Sequence, residues 1–370
     1  MLLDASAVPE RPAGAGVYVV NLVAGLASRS EIDLHLVTRR NDASRWNELV
    51  PSATVHAVVP TPRPSRLLWE QRQGPSLARD LAVDIWHGPH YTMPIRLDIP
   101  AVVTVHDLTF FDHPEWHERT KVVFFRRAIR AAARRAAALV AVSEHTATRL
   151  RELDPAGTIV AAPHGVDHER FHQDGRGTPN DLEILRRAGA QPPFVAFAGT
   201  IEPRKDVARL VAAFARIAPD RPDLQLVLVG QDGWGAAAVR DAVAATGVAT
   251  RILRPGFVSD ETIPALFRQA EVVAYPSLDE GFGLPVLEAM ACGAAVVTTS
   301  DTAMAEVAGD ATRLVPPGDV DALAHELAEL LDDPEASRDL GARAAERAGA
   351  FTWEASVDRH VEAYRLAATG

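Results

Sequence analysis

The sequence predicts an α/β protein made of two doubly wound parallel sheets. Three observations carry that prediction. Short apolar runs alternate with helix-forming stretches along nearly the whole chain, the pattern of repeated strand–helix units. The chain has 370 residues, more than one ordinary core accommodates. Its charge is uneven, net +1 over residues 1–180 and −12 over residues 181–370, which favours two separately composed domains.

In chain order, strands are expected at 2–5, 32–38, 55–59, 83–86, 101–105, 139–142 and 158–161. Helices are expected between them at 17–28, 67–81, 118–137 and 144–153. The turn-rich Pro60-Thr-Pro62-Arg-Pro64 separates the third strand from its helix. In parallel sheets ligands sit beyond the carboxyl ends of the strands, and loops 9–16, 87–94 and 106–117 leave those ends. Residues 163–179 lack periodicity, are rich in breakers and read as a linker. A helix is expected over 181–188. Strands at 194–198, 224–229, 251–254, 271–275, 294–298 and 312–315 then alternate with helices at 206–217, 236–246, from 260, at 284–291 and from 319. The expected domains are 1–170 and 180–352, with a last helix from 353 able to close on either.

Apolar content of 47% and charged content of 24% are those of a soluble globular protein. A net charge of −11 argues against a general nucleic-acid binder. The one cysteine, Cys292, permits no intrachain disulfide and reads as a buried structural thiol. No apolar run approaches the ~18–20 residues of a membrane span. The N-terminus shows no signal-peptide pattern, so the cytoplasm is the expected compartment.

The richest stretch is Tyr275-Pro-Ser-Leu-Asp-Glu-Gly-Phe-Gly-Leu-Pro-Val-Leu-Glu-Ala-Met-Ala-Cys-Gly293. It reads as strand, glycine turn, helix. A helix opening after Gly281 and Gly283 offers unpaired backbone N–H groups and a positive dipole end, a general means of holding phosphate. Glu280 and Glu288 bracket it. Carboxylates beside an anion make sense where they accept from neutral hydroxyls, so the pattern suggests phosphate flanked by sugar hydroxyls. A plain glycine turn with a solvent-facing Glu is the alternative. Arg204 and Lys205 stand where a helix begins, against its dipole, a conflict that a diphosphate between them resolves; two solvated cations are the alternative.

Gly14-Ala-Gly16 follows a strand and opens a helix, but lacks the third glycine and the acidic residue of a dinucleotide fingerprint. His106 ends a very apolar strand, where it either faces a ligand or is satisfied by Asp107 or backbone. His113 and His117 lack the zinc-protease order, in which Glu directly follows the first His. Asp319-Val-Asp321 reads as a helix cap. Seven cations from Arg119 to Arg135 stud the helix over 118–137, read as a solvated face or as contact with acidic lipid.

Together these residues resemble the retaining glycosyltransferases of family 4, with the GT-B fold: two Rossmann-like doubly wound domains facing across a cleft. The resemblance covers nearly the whole chain and rests on Phe197–Lys205, Pro255–Ser259, Tyr275–Thr299, Val105–Phe111, Val142–Glu144, Pro163–Asp167 and Val315–Asp319. It implies that Glu288 binds the ribose hydroxyls of a nucleotide diphosphate sugar and Glu280 the hydroxyls of its sugar. Arg204 and Lys205 would hold the diphosphate. Gly281 and the backbone of Phe282, Gly283 and Leu284 would line the donor, with Gly199 and Val258 of the matching motifs beside them. Gly16 would approach the diphosphate and His106 the sugar from the N-terminal domain, onto which the final helix (353–370) would cross back. His106, Glu280, Arg204 and Lys205 form the implied catalytic set. No cofactor and no metal are expected. The acceptor would be a glycan, a lipid-linked or a small molecule, with peripheral contact to the inner face of a membrane through the Arg-rich helix. The motifs are similar to those of bacterial mannosyltransferase-like members. One departure is Thr200, where many members carry Arg. A sugar-nucleotide epimerase, a phosphorylase or a non-catalytic sugar-nucleotide-binding module is the alternative on the same fold.

Overall fold

The computed structural model describes residues 1–256 and 258–369; Phe257, inside the Pro255–Ser259 motif, and Gly370, the end of the expected final helix, lie outside the described residues. The chain forms two units, one from Met1–Gly165 with Thr352–Gly370, the other from Val166–Phe351.

The first unit contains β1 (Leu2–Asp4), α1 (Ala15–Ala27), β2 (His35–Arg39), α2 (Ala43–Leu49), β3 (Thr54–Val59), α3 (Arg63–Arg72), α4 (Gly74–Asp80), β4 (Trp86–Gly88), β5 (Ala101–Val105), α5 (Thr109–Asp112), α6 (Arg119–Arg135), β6 (Ala138–Ala141), α7 (Glu144–Arg151) and β7 (Thr158–Ala161). Its seven strands are parallel, in the order β3-β2-β1-β4-β5-β6-β7. Both faces are covered, so the strands are apolar throughout rather than alternating. Side chains of β5 still alternate between two cores: Val103 and Val105 pack with Phe125 and Ile129 of α6, while Val102 packs with Tyr18 and Leu22 of α1.

The second unit contains α8 (Pro179–Arg187), β8 (Phe194–Ala198), α9 (Val207–Ile217), β9 (Gln225–Val229), α10 (Ala236–Ala245), β10 (Ile252–Gly256), α11 (Thr262–Gln269), β11 (Val272–Tyr275), α12 (Leu284–Ala291), β12 (Val296–Thr299), α13 (Ala303–Ala308), β13 (Arg313–Val315), α14 (Val320–Asp332) and α15 (Pro334–Ala348). Its parallel sheet runs β10-β9-β8-β11-β12-β13. Asp319 caps α14, its Oδ1 accepting from the N–H groups of Asp321 and Ala322 at 3.0 Å each, the role the Asp-x-Asp spacing predicts.

The last helix, α16 (Trp353–Thr369), packs on α1 and β5–β7 of the first unit. A buried polar network fixes it there. Tyr18 Oη lies 2.8 Å from both Thr104 Oγ1 and His360 Nε2, and His87 lies 2.9 Å from both Thr104 Oγ1 and Tyr364 Oη. Burial lowers His87 well below the ordinary histidine range and His360 to about 4, so both imidazoles are neutral donor–acceptors in this layer.

Local chemistry explains where the expected elements shift. The single helix expected over 67–81 is two, because Pro75 lacks an N–H and Gly74 lies where a Cβ would stand 3.0 Å from the Trp86 ring. The strand expected at 83–86 starts only at Trp86, since the Val83 N–H bonds back to Ala78 O at the end of α4. Residues 166–178, read as linker, pack into the second unit. The Val166 N–H bonds to Phe351 O at 3.1 Å, and Phe171 is buried. Asp181 of α8 then holds Arg268 of α11 in a buried two-point bond of 2.7 and 2.8 Å.

Candidate active site

The strand order of the second unit reverses between β8 and β11, the position at which open α/β sheets bind ligands. Beyond β8 the chain runs through Gly199 to Glu202, makes one tight turn over Pro203–Lys205 and enters α9. Beyond β11 it runs from Tyr275 to Gly283 and enters α12. The two loops are stitched by the Leu278 N–H, which donates to Arg204 O at 2.7 Å.

Glu280 is the hub. One carboxylate oxygen pairs with Arg204 Nη1 and the other with Lys205 Nζ, which also donates to Tyr275 Oη. Ser277 Oγ donates to Glu280 at 3.0 Å, and Glu202 accepts from Arg204 Nε at 3.1 Å. Burial pushes the Glu280 carboxyl up, but Arg204 and then Lys205 outweigh it and hold the group at about 2. Burial and the neighbouring Arg204 lower Lys205 to about 8, against the pull of Glu280. The conflict of two cations ahead of α9 is met within the chain by Glu280, which is their counter-ion in this structure.

Gly283 stands at the N-terminus of α12. Its φ is +98°, and a Cβ would lie 2.6 Å from Met304 Cγ, so a side chain is excluded by both conformation and space. Phe282 is buried and its ring packs edge-on against that of Phe351. Gly281 and Leu284 flank this turn. Glu288, in the second turn of α12, is half-buried; burial raises its carboxyl to about 7 against the pull of Arg170. Among the described residues its carboxylate makes no hydrogen bond, while its carbonyl accepts from the Cys292 N–H at 3.2 Å. Gly199 gives its amide to Val229 O at 2.9 Å, so that N–H belongs to the sheet and not to a phosphate. Val258 is half-buried in the loop after β10 and bonds to no described member of the Glu280 cluster.

His106 and Gly16 lie in the first unit. The His106 ring packs edge-on against Tyr18 at 5.1 Å and Tyr91 at 5.5 Å. Its Nε2 donates to Pro89 O at 2.9 Å. Burial lowers its pKa, opposed by the Pro89 bond and Asp107, so the ring is neutral and its Nδ1 is an acceptor. Asp107 itself bonds to Thr109, at 3.1 Å to the N–H and 2.7 Å to the hydroxyl. The Gly16 amide donates to Ala13 O at 2.9 Å and is not free for an anion; a Cβ there would stand 3.2 Å from Pro12. Of the cations on α6, Arg126 holds the carbonyls of Phe110 and Phe111, Arg130 lies over the Phe111 ring and Arg135 holds Ile95 O, so these three are structural. Cys292 is buried, which pushes its thiol up to about 12.

Sequence reasoning missed Tyr275, Ser277 and Glu202 as members of the cluster. The available signal is a run of hydroxyls, Tyr275-x-Ser277, three residues ahead of the glutamate at a strand end.

Residues 184–347 match the model of the glycosyl transferases group 1, and residues 12–170 that of glycosyltransferase family 4. The O-antigen chain mannosyltransferase B of Escherichia coli is 32% identical over 305 residues, 81% of this chain and 79% of that protein. Among solved structures, sucrose-phosphate synthase from Thermosynechococcus elongatus aligns with a TM-score of 0.81 over 98% of each chain at 23% identity. HepE from Anabaena in complex with UDP-glucose aligns at 0.77 over 98% of each chain at 19% identity. The sequence matches fix the family and the structural ones the fold: this chain is a GT-B glycosyltransferase of family 4, an enzyme that transfers a sugar from a nucleotide sugar.

Proposed function

We propose that the enzyme transfers mannose from GDP-mannose, with retention and without a metal ion, to a hydroxyl of a glycan, a lipid-linked or a small-molecule acceptor. The observation that carries this reading is Glu280 bridging Arg204 and Lys205 where the sheet order reverses, beside the glycine turn at Gly283. Mannose is favoured by the likeness to a mannosyltransferase.

Glu288 accepts from the ribose hydroxyls. The diphosphate draws Arg204 and Lys205 toward itself, and Glu280 turns to the hydroxyls of the sugar. The bond from the anomeric carbon to the phosphate oxygen then breaks, with both electrons leaving on the diphosphate, where the two cations stabilise the charge. The acceptor oxygen bonds to the anomeric carbon on the face just vacated, and its proton passes to the departing phosphate oxygen. The products are GDP and a mannoside of unchanged anomeric configuration. Incubation with GDP-mannose, UDP-glucose and ADP-glucose over an acceptor panel tests this. GDP release in EDTA with an α-linked product is expected; an inverted product, or no release from any donor, overturns it.

Glu288→Ala should weaken GDP binding at least tenfold, about 1.4 kcal/mol, by titration calorimetry. The ionised carboxylate accepts both ribose hydroxyls and grows in as pH rises through about 7, whereas Lys205 loses its charge above about 8. kcat/KM should therefore rise through the first value and fall through the second, and Glu288→Gln should abolish the acid limb only.

A further inference from the structure

A cavity of about 740 Å³ opens in the first unit between α3 and α6, within the range of small-molecule sites. None of its lining residues belongs to the Glu280 cluster. Its wall is apolar: Val123, Phe124, Ala128 and Ala131 form one helical stripe on α6, faced by Leu67 of α3 and by Met93. Val123 is 51% exposed and Ile95 40% exposed at this wall, large apolar surface left to water.

Two further features give the cavity a chemical sign. Arg119 and Arg127 line it, both exposed, and neither has a hydrogen-bonding or ion-pair partner among the described residues, unlike the structural arginines of the same helix. Eight residues apart on α6, they stand about 12 Å apart along the same stripe. Glu70 also lines the cavity. It is 1% exposed and accepts from Thr92 Oγ1 at 2.8 Å and Gln71 Nε2 at 3.0 Å. Burial raises the Glu70 carboxyl to about 7; above that pH it is ionised and repels a second anion, so a negative head is turned toward the arginines and away from α3.

We propose that this cavity binds an anionic amphiphile, with a single hydrocarbon chain against Phe124, Ala128 and Ala131 and a phosphate or carboxylate head over Val123, midway between Arg119 and Arg127, where each arginine side chain has to span only about 6 Å along the helix. A concave wall suits one chain better than the face of a bilayer. The inference does not rest on the transfer reaction, and its test uses binding alone. Titration calorimetry on the full chain compares dodecyl phosphate, dodecanoate, dodecanol and inorganic phosphate, below any micelle threshold. Both anionic chains should bind at least tenfold more tightly than dodecanol, and inorganic phosphate should not saturate. The double variant Arg119→Gln/Arg127→Gln should reduce the preference over dodecanol to less than threefold. Ala128→Trp should weaken dodecyl phosphate at least tenfold by filling the wall. Should that variant misfold, Val123→Asp, at an exposed position, should do the same by charge. Unchanged binding in the folded variants overturns the proposal. So does inorganic phosphate binding as tightly as dodecyl phosphate, or binding to anionic vesicles without any to dodecyl phosphate.

Discussion

Glu280→Gln should lower kcat by about 10³-fold or more, beyond the 10²–10³ that one electrostatic group typically supplies, because two cations depend on it. Arg204 and Lys205 stand against the dipole of α9 and are held by opposite oxygens of one buried carboxylate. Without that charge, Lys205 keeps the burial and the Arg204 repulsion that depress it and loses the partner that sustains it. The ammonium then gives up its proton near neutral pH, and the site loses a carboxylate and a cation together. Breaking a buried pair typically costs about 3–5 kcal/mol, so the melting temperature falls as well. Activity is therefore compared at a temperature where circular dichroism shows the variant folded. A kcat within tenfold of the parent there would sink the hub assignment.

Lys205→Gln should be nearly as damaging, about 10²–10³-fold in kcat, with donor affinity weakened far less. A cation that stabilises a departing diphosphate acts chiefly as the bond breaks, so its loss appears in kcat more than in binding. The leaving group provides the discriminating measurement. An aryl mannoside with a good neutral-pH leaving group needs less countercharge, and the deficit should shrink at least tenfold with that donor. An equal deficit on both donors would assign Lys205 to loop structure through Tyr275 and Glu280 instead.

Much of the architecture was legible because parallel strands covered on both faces are short apolar runs bounded by breakers. Strands 101–105, 158–161 and 194–198 match their expected limits residue for residue. Short elements left less trace: α2 spans seven residues with only Trp46 buried, and α13 spans six. The E-x7-E spacing pointed to one turn because Glu280, Gly283 and Glu288 are close in sequence. Pairing across the sheet was not readable. That Glu280 reaches back 76 and 75 residues to Arg204 and Lys205 follows from the adjacency of β8 and β11, which only topology decides. The same limit hid the layer joining Tyr18, His87, Thr104 and His360, partners as much as 342 residues apart. Gly16 has a packing role that the sequence did not show. A Cβ there would stand 3.2 Å from Pro12 and 3.4 Å from Pro9, partners that no local pattern announces.

The path of the chain has a consequence for how the protein is made. The second unit opens and closes on one hydrogen bond, Val166 N–H to Phe351 O, and is complete before the last helix is translated. The first unit starts earlier and finishes later. Until α16 leaves the ribosome, Tyr18 and His87 lack His360 and Tyr364, and the apolar face of α1 lacks Val357 and Val361. Synthesis from the N-terminus thus yields a finished second unit while the first-begun unit still awaits its closing segment. A nascent chain halted before residue 353 would present that uncovered surface to chaperones and proteases.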